Sequence, residues 1–177
     1  MNQFRKNNRP TLMDQVWNFY SGVKYGLDKT VYLELGSYLY RYSKNVRLGR
    51  SVYLKRNSIV GCATRESSIE IGENTTIGFN TIIISSKRIT IGEDCMIAPH
   101  VYIVDSNHGT ALNRPFNQQE NVSEDIVIED NVWIGAHVVV LPGVRITAGA
   151  IVGANSTVTR NLTEPGVYVG SPASKIS

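Results

Sequence analysis

The sequence predicts an all-β chain wound as a parallel β-helix, and three observations carry that reading. Written from Ile128 in blocks of six, it runs IEDNVW, IGAHVV, VLPGVR, ITAGAI, VGANST, VTRNLT. An aliphatic residue opens every block (Ile128, Ile134, Val140, Ile146, Val152, Val158), and the fifth place holds Val132, Val138, Val144, Ala150, Ser156 and Leu162. A helix repeats at 3.6 residues and a strand at 2, so a period of six marks a coil with one flat side per hexapeptide. The opener points inward and the fifth residue fills the corner. Gly and Asn crowd the corners, as tight bends or positive φ require.

The bulk numbers set the bounds. A chain of 177 residues fits one domain with a real core. Its formal charge of +3, from 18 Lys and Arg against 15 Asp and Glu, is small and reads as scattered, so it selects no anionic partner. Cys62 and Cys95 lack metal-ligand spacing, and Cys95 occupies a fifth place as a small core residue, which fits a reducing compartment. The start MNQFRKNNRPTLMDQ is polar and no run reaches membrane-span length, so the expected location is cytoplasmic. A basic stripe or recognition helix for nucleic acid is lacking.

In chain order, residues 1–10 read as a loosely held arm. Leu12, Val16, Phe19 or Tyr20, and Val23 then recur at helical spacing, with Thr11 and Asp14 placed as a capping box and Gly22 and Gly26 at the decay. Such a helix is expected to cap the open end of the coil, with Trp17 and its aromatic neighbours as packing residues. The run VYLELGSYLYRYS alternates but repeats poorly, as a terminal rung does. Seven of the nine tyrosines lie between Tyr20 and Tyr53; filling a wide first rung is favoured over binding a sugar.

The six-residue register is readable at Leu48, Leu54 and Val60, pauses over CATRESSIE, and resumes at Ile71, Ile77 and Ile83. After a slip through SSKR it returns at Ile91, Ile97 and Ile103, giving coils at 48–65, 71–88, 91–108, 128–145 and 146–163. Glycine straight after the opener, at 72, 78, 92 and 135, marks a bend or a close neighbour. Between His108 and Ile128 the pattern vanishes, and the polar stretch 109–127 is expected to project as a functional loop. The expected organisation is a single domain: arm and helix over 1–29, β-helix over 30–163, and a tail over 164–177 that folds back along the prism.

The motifs DSNHG, NVWIGAHVVVLPGV, GANSTVTRNL and VGSPA together resemble the left-handed β-helix acetyltransferases with hexapeptide repeats. The likeness covers roughly residues 48–176 and is closest to the maltose and galactoside O-acetyltransferases and the O-acetyltransferases of bacterial polysaccharide and lipopolysaccharide assembly. It implies a left-handed triangular prism, a homotrimer with sites in the clefts between subunits, and acetyl-CoA as cosubstrate lying along the cleft, with no metal required.

The resemblance also assigns residues. His108, after Asn107 in DSNH, matches the catalytic base, and neutral imidazole suits removal of a hydroxyl proton near pH 7. Asp105 and Glu120 are the candidates to orient its ring. The backbone N–H of Ala136 matches the donor that faces the thioester carbonyl, a role that survives loss of the family's frequent Ser side chain. Trp133, Ala154, Thr159 and Arg160 match coenzyme contacts, Arg160 standing where Lys is usual. After PA the family's basic residue is replaced by Ser174, leaving Lys175 one place on. The acceptor positions of the galactoside enzymes fall on Gly78 and Ser86, so the acceptor is expected to differ from a simple galactoside. Asn80, Ser86, His100, Asn107, Arg114 and Phe116 are the candidate acceptor contacts, while His137 faces outward with no chemical step.

Competing readings remain. An N-acetyltransferase acting on an amino sugar nucleotide or an antibiotic asks the same work of the base, and a non-catalytic β-helix scaffold keeps the openers without needing the histidine. A zinc-dependent carbonic anhydrase on the same coil uses two histidines five residues apart, a spacing that His100, His108 and His137 do not contain.

Overall fold

The structure is a computed structural model that describes residues 10–177; the arm expected over 1–10 lies outside it except for Pro10. Short parallel strands wind into a solenoid of about 6 turns, and its three faces are parallel sheets. The first face stacks Tyr32–Leu33, Tyr53–Leu54, Thr76–Ile77, Met96–Ile97, Trp133–Ile134, Ala150–Val152 and Gly166–Val169, with Ser174–Lys175 turned back antiparallel at its end. The second runs from Tyr38–Arg41 to Thr157–Val158, and the third from Val46–Leu48 to Arg145–Ile146.

Inward rows follow the period of six. Leu48, Ile71, Ile91, Ile128 and Ile146 are register partners down the third face, and Leu54, Ile77, Ile97, Ile134 and Val152 down the first. β-Branched side chains in register stack on their own kind, which suits a pleated, fully covered surface. The fifth-place residues Val132, Val138, Val144, Ala150, Ser156 and Leu162 are buried, as is Cys95. The Tyr-rich start is less atypical than expected: Leu33 lies on Leu54 and Leu39 on Val60, in step with the coils above. Tyr32 and Tyr53 meet edge to face with ring centres 5.2 Å apart, so they pack rather than offer a free aromatic surface.

The corners separate two kinds of residue. Positive φ falls on Asn57, Asn74, Asn80, Asp94, His100, Asn131, His137 and Asn155, at +54 to +60°. The glycines that follow the openers have ordinary φ and answer close approach instead: a Cβ on Gly78 would sit 2.4 Å from the Ala98 carbonyl carbon, and one on Gly135 2.6 Å from the Ala154 nitrogen.

The helix spans Leu12–Tyr25 with the capping box formed, Thr11 N–H donating to Asp14 Oδ2 (3.0 Å) and Asp14 N–H to Thr11 Oγ1 (3.2 Å). It caps the coil with the face opposite to the one its periodicity marks. Leu12, Val16, Phe19 and Val23 are exposed, whereas Asp14 and Ser21 are buried, and Trp17 and Tyr25 pack on the core. The reason is the open edge of the first strand. Tyr32 and Glu34 donate to the next coil, leaving Leu33 and Leu35 N–H pointing away from it. Asn18 Oδ1 accepts from Leu33 N (2.9 Å), Asp14 Oδ1 from Leu35 N (3.2 Å), and Trp17 Nε1–H donates to Ser37 O (2.9 Å). Four helical residues advance about 6 Å and two strand residues about 6.6 Å, so one polar side chain per turn meets each edge amide. Burial pushes the Asp14 carboxyl up, but the Thr11 hydroxyl, the Arg56 guanidinium (2.7 Å) and the Leu35 and Thr11 amides outweigh it and hold the group well below the usual carboxylate range.

Asn18→Ala leaves a shielded amide without its acceptor and should cost about 1–3 kcal/mol in denaturant titration. Because the folded Asp14 pKa is depressed, its stabilisation is present above the unfolded value of about 3.9 and is lost as pH falls through the lower folded one. Stability measured against pH should therefore fall on acidification below about pH 4, and Asp14→Asn should flatten that limb; an unchanged limb would rule out the Asp14 network as its source.

Candidate functional site

Two prism edges carry the candidate residues. The edge between the first and second faces is a ladder of corners: His100 N–H donates to Phe79 O (2.9 Å), His137 N–H to Pro99 O (3.1 Å) and Asn155 N–H to Ala136 O (2.9 Å). The three-residue corner that bends each coil thus sets Asn80, His100, His137 and Asn155 in one outward column. The His100 and His137 rings stack, 4.8 Å between centres at 4°, and Asn80 Nδ2 lies 3.5 Å from His100 Nε2. Ala136 and Ala154 occupy the same corner place on successive coils, and among the described residues the Ala136 N–H has no hydrogen-bond partner. Trp133 lies beside this edge on the first face, 48% exposed, at the mouth of an apolar groove of about 260 Å³ lined also by Lys55, Phe79, Met96 and Pro99. Those four were not singled out from sequence, although Met96 holds the same hexapeptide place as Trp133.

The edge between the second and third faces carries the excursion. It is a β-hairpin, Ser106–His108 pairing antiparallel with Asn121–Ser123, so the tip covers 109–120 and Ile126–Ile128 is already back on the third face. This shortens the loop expected over 109–127. His108 and Asn107 stand exposed on the outgoing arm, Glu120 beside the returning one, and Arg114 and Phe116 at the tip. Gln119, which the sequence reading passed over, closes the tip: its Oε1 accepts from Ala111 N (2.8 Å) and its Nε2 donates to Ala111 O (2.8 Å) and Arg114 O (3.0 Å).

Asp105 needs correction. It is fully buried below the hairpin, where Oδ2 accepts from Ser85 Oγ (2.7 Å) and Lys87 N (2.9 Å), and Oδ1 from Ser86 N (2.6 Å). Both oxygens are committed to holding that corner, so it anchors the root of the arm rather than orienting the imidazole. Ser86 belongs to the same root, its Oγ 3.1 Å from Ser106 Oγ.

Thr159 and Arg160 follow the last strand of the second face, on the His108 edge, and Arg160 Nη2 lies 3.4 Å from Ser174 Oγ. The tail therefore brings Ser174, not a basic residue, to Arg160. Lys175 pairs with Glu164 at 2.7 Å, a contact that raises the lysine pKa and lowers that of the carboxylate. Within one chain His108 and Ala136 are on different edges, separated by the second face and its outward row Tyr38, Ile59, Ile82, Tyr102, Val139 and Thr157. Among the described residues no group of three or more His, Cys, Asp and Glu is placed to hold a metal ion. No described helix is long and apolar enough to cross a membrane.

The repeat matches two family models: the bacterial transferase hexapeptide (six repeats) over residues 125–160, and the hexapeptide repeat of succinyl-transferase over 68–103. The galactoside O-acetyltransferase of Escherichia coli K12 is 39% identical over 106 residues, 60% of this chain and 52% of that one. WbbJ of the same organism, which carries the name putative lipopolysaccharide biosynthesis O-acetyl transferase, is 37% identical over 113 residues, 59% of this chain and 58% of that one. The chain thus spans little more than half the length of these relatives. Among solved structures, a mutant of the Bacillus cereus N-acyltransferase AntD, in complex with dTDP and coenzyme A, superimposes with a TM-score of 0.73 at 22% identity, covering 84% of this chain and 80% of that one. The shared fold is the left-handed β-helix, and the sequence likeness is to the hexapeptide-repeat acetyltransferases of the galactoside and polysaccharide O-acetyltransferase group.

Gln119→Ala removes three hydrogen bonds that lie outside the coil. Limited proteolysis within 110–118 should quicken by about tenfold, because local opening there costs less, while the melting temperature of the solenoid stays put. A matching drop in global stability would show that the tip is part of the cooperative fold.

Proposed function

We propose, from the likeness to the galactoside and polysaccharide O-acetyltransferases, that this chain moves an acetyl group from acetyl-CoA to a hydroxyl of a sugar or a bacterial surface-polysaccharide precursor. The observation that carries the reading is the split site: an exposed histidine on one prism edge, an unpaired backbone donor on another, and a largely apolar face between them. The second face shows Ile59, Ile82, Tyr102 and Val139, whereas the third shows Arg47, Glu70, Thr90, Val127 and Arg145. Packing the apolar face against another copy about a three-fold axis joins His108 of one subunit to Ala136 of the next, and a closed cyclic trimer repeats that cleft three times.

In that cleft His108 takes the proton of the acceptor hydroxyl as its oxygen attacks the thioester carbonyl carbon. The Ala136 N–H receives the developing oxyanion. Collapse expels the coenzyme thiolate, and the imidazolium returns the proton to sulfur, so no acyl-enzyme forms. Trp133 and Ala154 line the coenzyme on one edge and Thr159 and Arg160 on the other, with Lys175 free to join only by leaving Glu164. Glu120 remains the candidate to orient the imidazole. Asn80, Ser86, His100, Asn107, Arg114 and Phe116 are the positions from which an acceptor is held. A cytoplasmic site of action suits the coenzyme.

A screen of sugar acceptors with acetyl-CoA, following free thiol, tests the activity. His108→Ala should lower kcat by roughly 10²–10⁴ while the particle mass stays near three times 19.6 kDa. Ala136→Pro should cost about 10²–10³ without upsetting the coil, since Pro99 fills the equivalent corner one coil earlier. Mixed trimers of the two inactive chains should recover about a quarter of the wild-type sites, because one site in four then draws each intact residue from a different chain. No recovery on mixing would place both groups in one subunit.

A further inference from the structure

The capping helix shows solvent the wrong face for a soluble protein. Leu12, Phe19, Val23 and Val16 are 76%, 75%, 71% and 58% exposed, and Met13 and Tyr20 extend the same side. At 100° per residue these six fall within an arc of roughly 120°, the width of an ordinary core-facing stripe. The stripe lies across the end of the prism, because the opposite face of the helix runs antiparallel to the first strand, Asp14 meeting Leu35 and Asn18 meeting Leu33. It is therefore flat, terminal and directed along the coil axis.

The sequence segment that carries the helix is cationic. Residues 1–29 hold five of the 18 Lys and Arg (Arg5, Lys6, Arg9, Lys24, Lys29) and two of the 15 Asp and Glu, which puts the whole net charge of +3 in this segment and leaves the rest balanced. The charge is not scattered after all. Of the two acids, Asp14 is buried under the helix and paired with Arg56, so Asp28 is the sole acid of the segment on the solvent side. A second copy of the chain would bring like charge against like. An apolar interior rimmed by negative charge meets both demands at once.

We propose that this helix docks the protein, end-on, to an anionic lipid bilayer, with Leu12, Val16, Phe19 and Val23 entering the interface and Lys24 and Lys29 meeting the headgroups. In that pose the coil stands away from the surface with its edges accessible. The proposal is independent of acetyl transfer, since it uses none of the site residues.

The test is co-sedimentation of the full chain with vesicles of phosphatidylcholine containing one third phosphatidylglycerol, beside vesicles of phosphatidylcholine alone. Binding should favour the anionic vesicles by about tenfold or more and weaken steeply in 0.5 M salt. Phe19→Ser with Val23→Ser should reduce it by at least about tenfold. Lys24→Gln should reduce it up to about fivefold. Both variants should keep the wild-type melting curve, because the altered side chains are exposed. Absence of binding, equal binding to both vesicles, or binding that survives Phe19→Ser with Val23→Ser would overturn the proposal. So would a fall in particle mass in the serine variant by light scattering, which would assign the stripe to contacts between copies.

Discussion

Every feature of this molecule answers to one constraint: each coil must place its amides under the carbonyls of the next, about 4.8 Å away. That spacing is met along whole faces because successive coils share register at their inward positions, while their lengths differ and the extra residues are taken up at the corners, as between Ile97 and Ile134. It also dictates the corners. Where backbones of neighbouring coils come closest a Cβ has no room, and Gly72, Gly78, Gly92 and Gly135 appear. Two residues later the chain turns through the left-handed region, and Asn, Asp or His takes the place. Ala136 and His137 sit in such a corner, so the proposed oxyanion donor is held by the same ladder that holds the fold.

A ladder has two ends, and their chemistry differs. At the C-terminal end the chain closes itself: Gly166–Val169 adds a strand to the first face, and Ser174–Lys175 folds back on it. At the N-terminal end the open amides of Leu33 and Leu35 are met by side chains from a helix. Polar residues must then face the coil, and the apolar residues of the helix are left outward. The outward stripe is thus a consequence of edge satisfaction rather than a failure of packing.

This explains what was legible in the sequence. Rows of Leu, Ile and Val one hexapeptide apart report the register directly, because only the inward positions are restricted to them. The helix was legible too, with its capping box, but not its orientation, since periodicity shows that a stripe exists and not which surface it meets. Leu33 and Leu39 were in step with the later coils yet hidden among tyrosines. Asp105 is the instructive case. An acid three residues before a candidate base reads as its partner, but a buried acid at a corner is needed to satisfy the amides of Ser86 and Lys87. Gln119 carried no signal, because its bonds are made to backbone within an irregular tip.

The two edges also differ in rigidity, and that bears on the proposed chemistry. An oxyanion donor is effective when it is fixed before the charge develops, since reorientation during the reaction would cost what the hydrogen bond returns. A corner bonded to the coils on both sides supplies that fixity: the Ala136 carbonyl accepts from Asn155 above, and His137 N–H donates to Pro99 below. A base that must admit acceptors of varied shape is better placed where the coil has been interrupted. The hairpin arm bearing His108 is such a place, anchored at its root by Asp105 and closed at its tip by Gln119. Interrupting one edge does not disturb the others, because Tyr102–Val104 before it and Ile126–Ile128 after it keep their parallel partners. Long insertions between fixed ends add little entropic cost per residue. The solenoid can therefore vary the arm that carries the proposed base while the corner that carries the proposed oxyanion donor stays bound to the repeat.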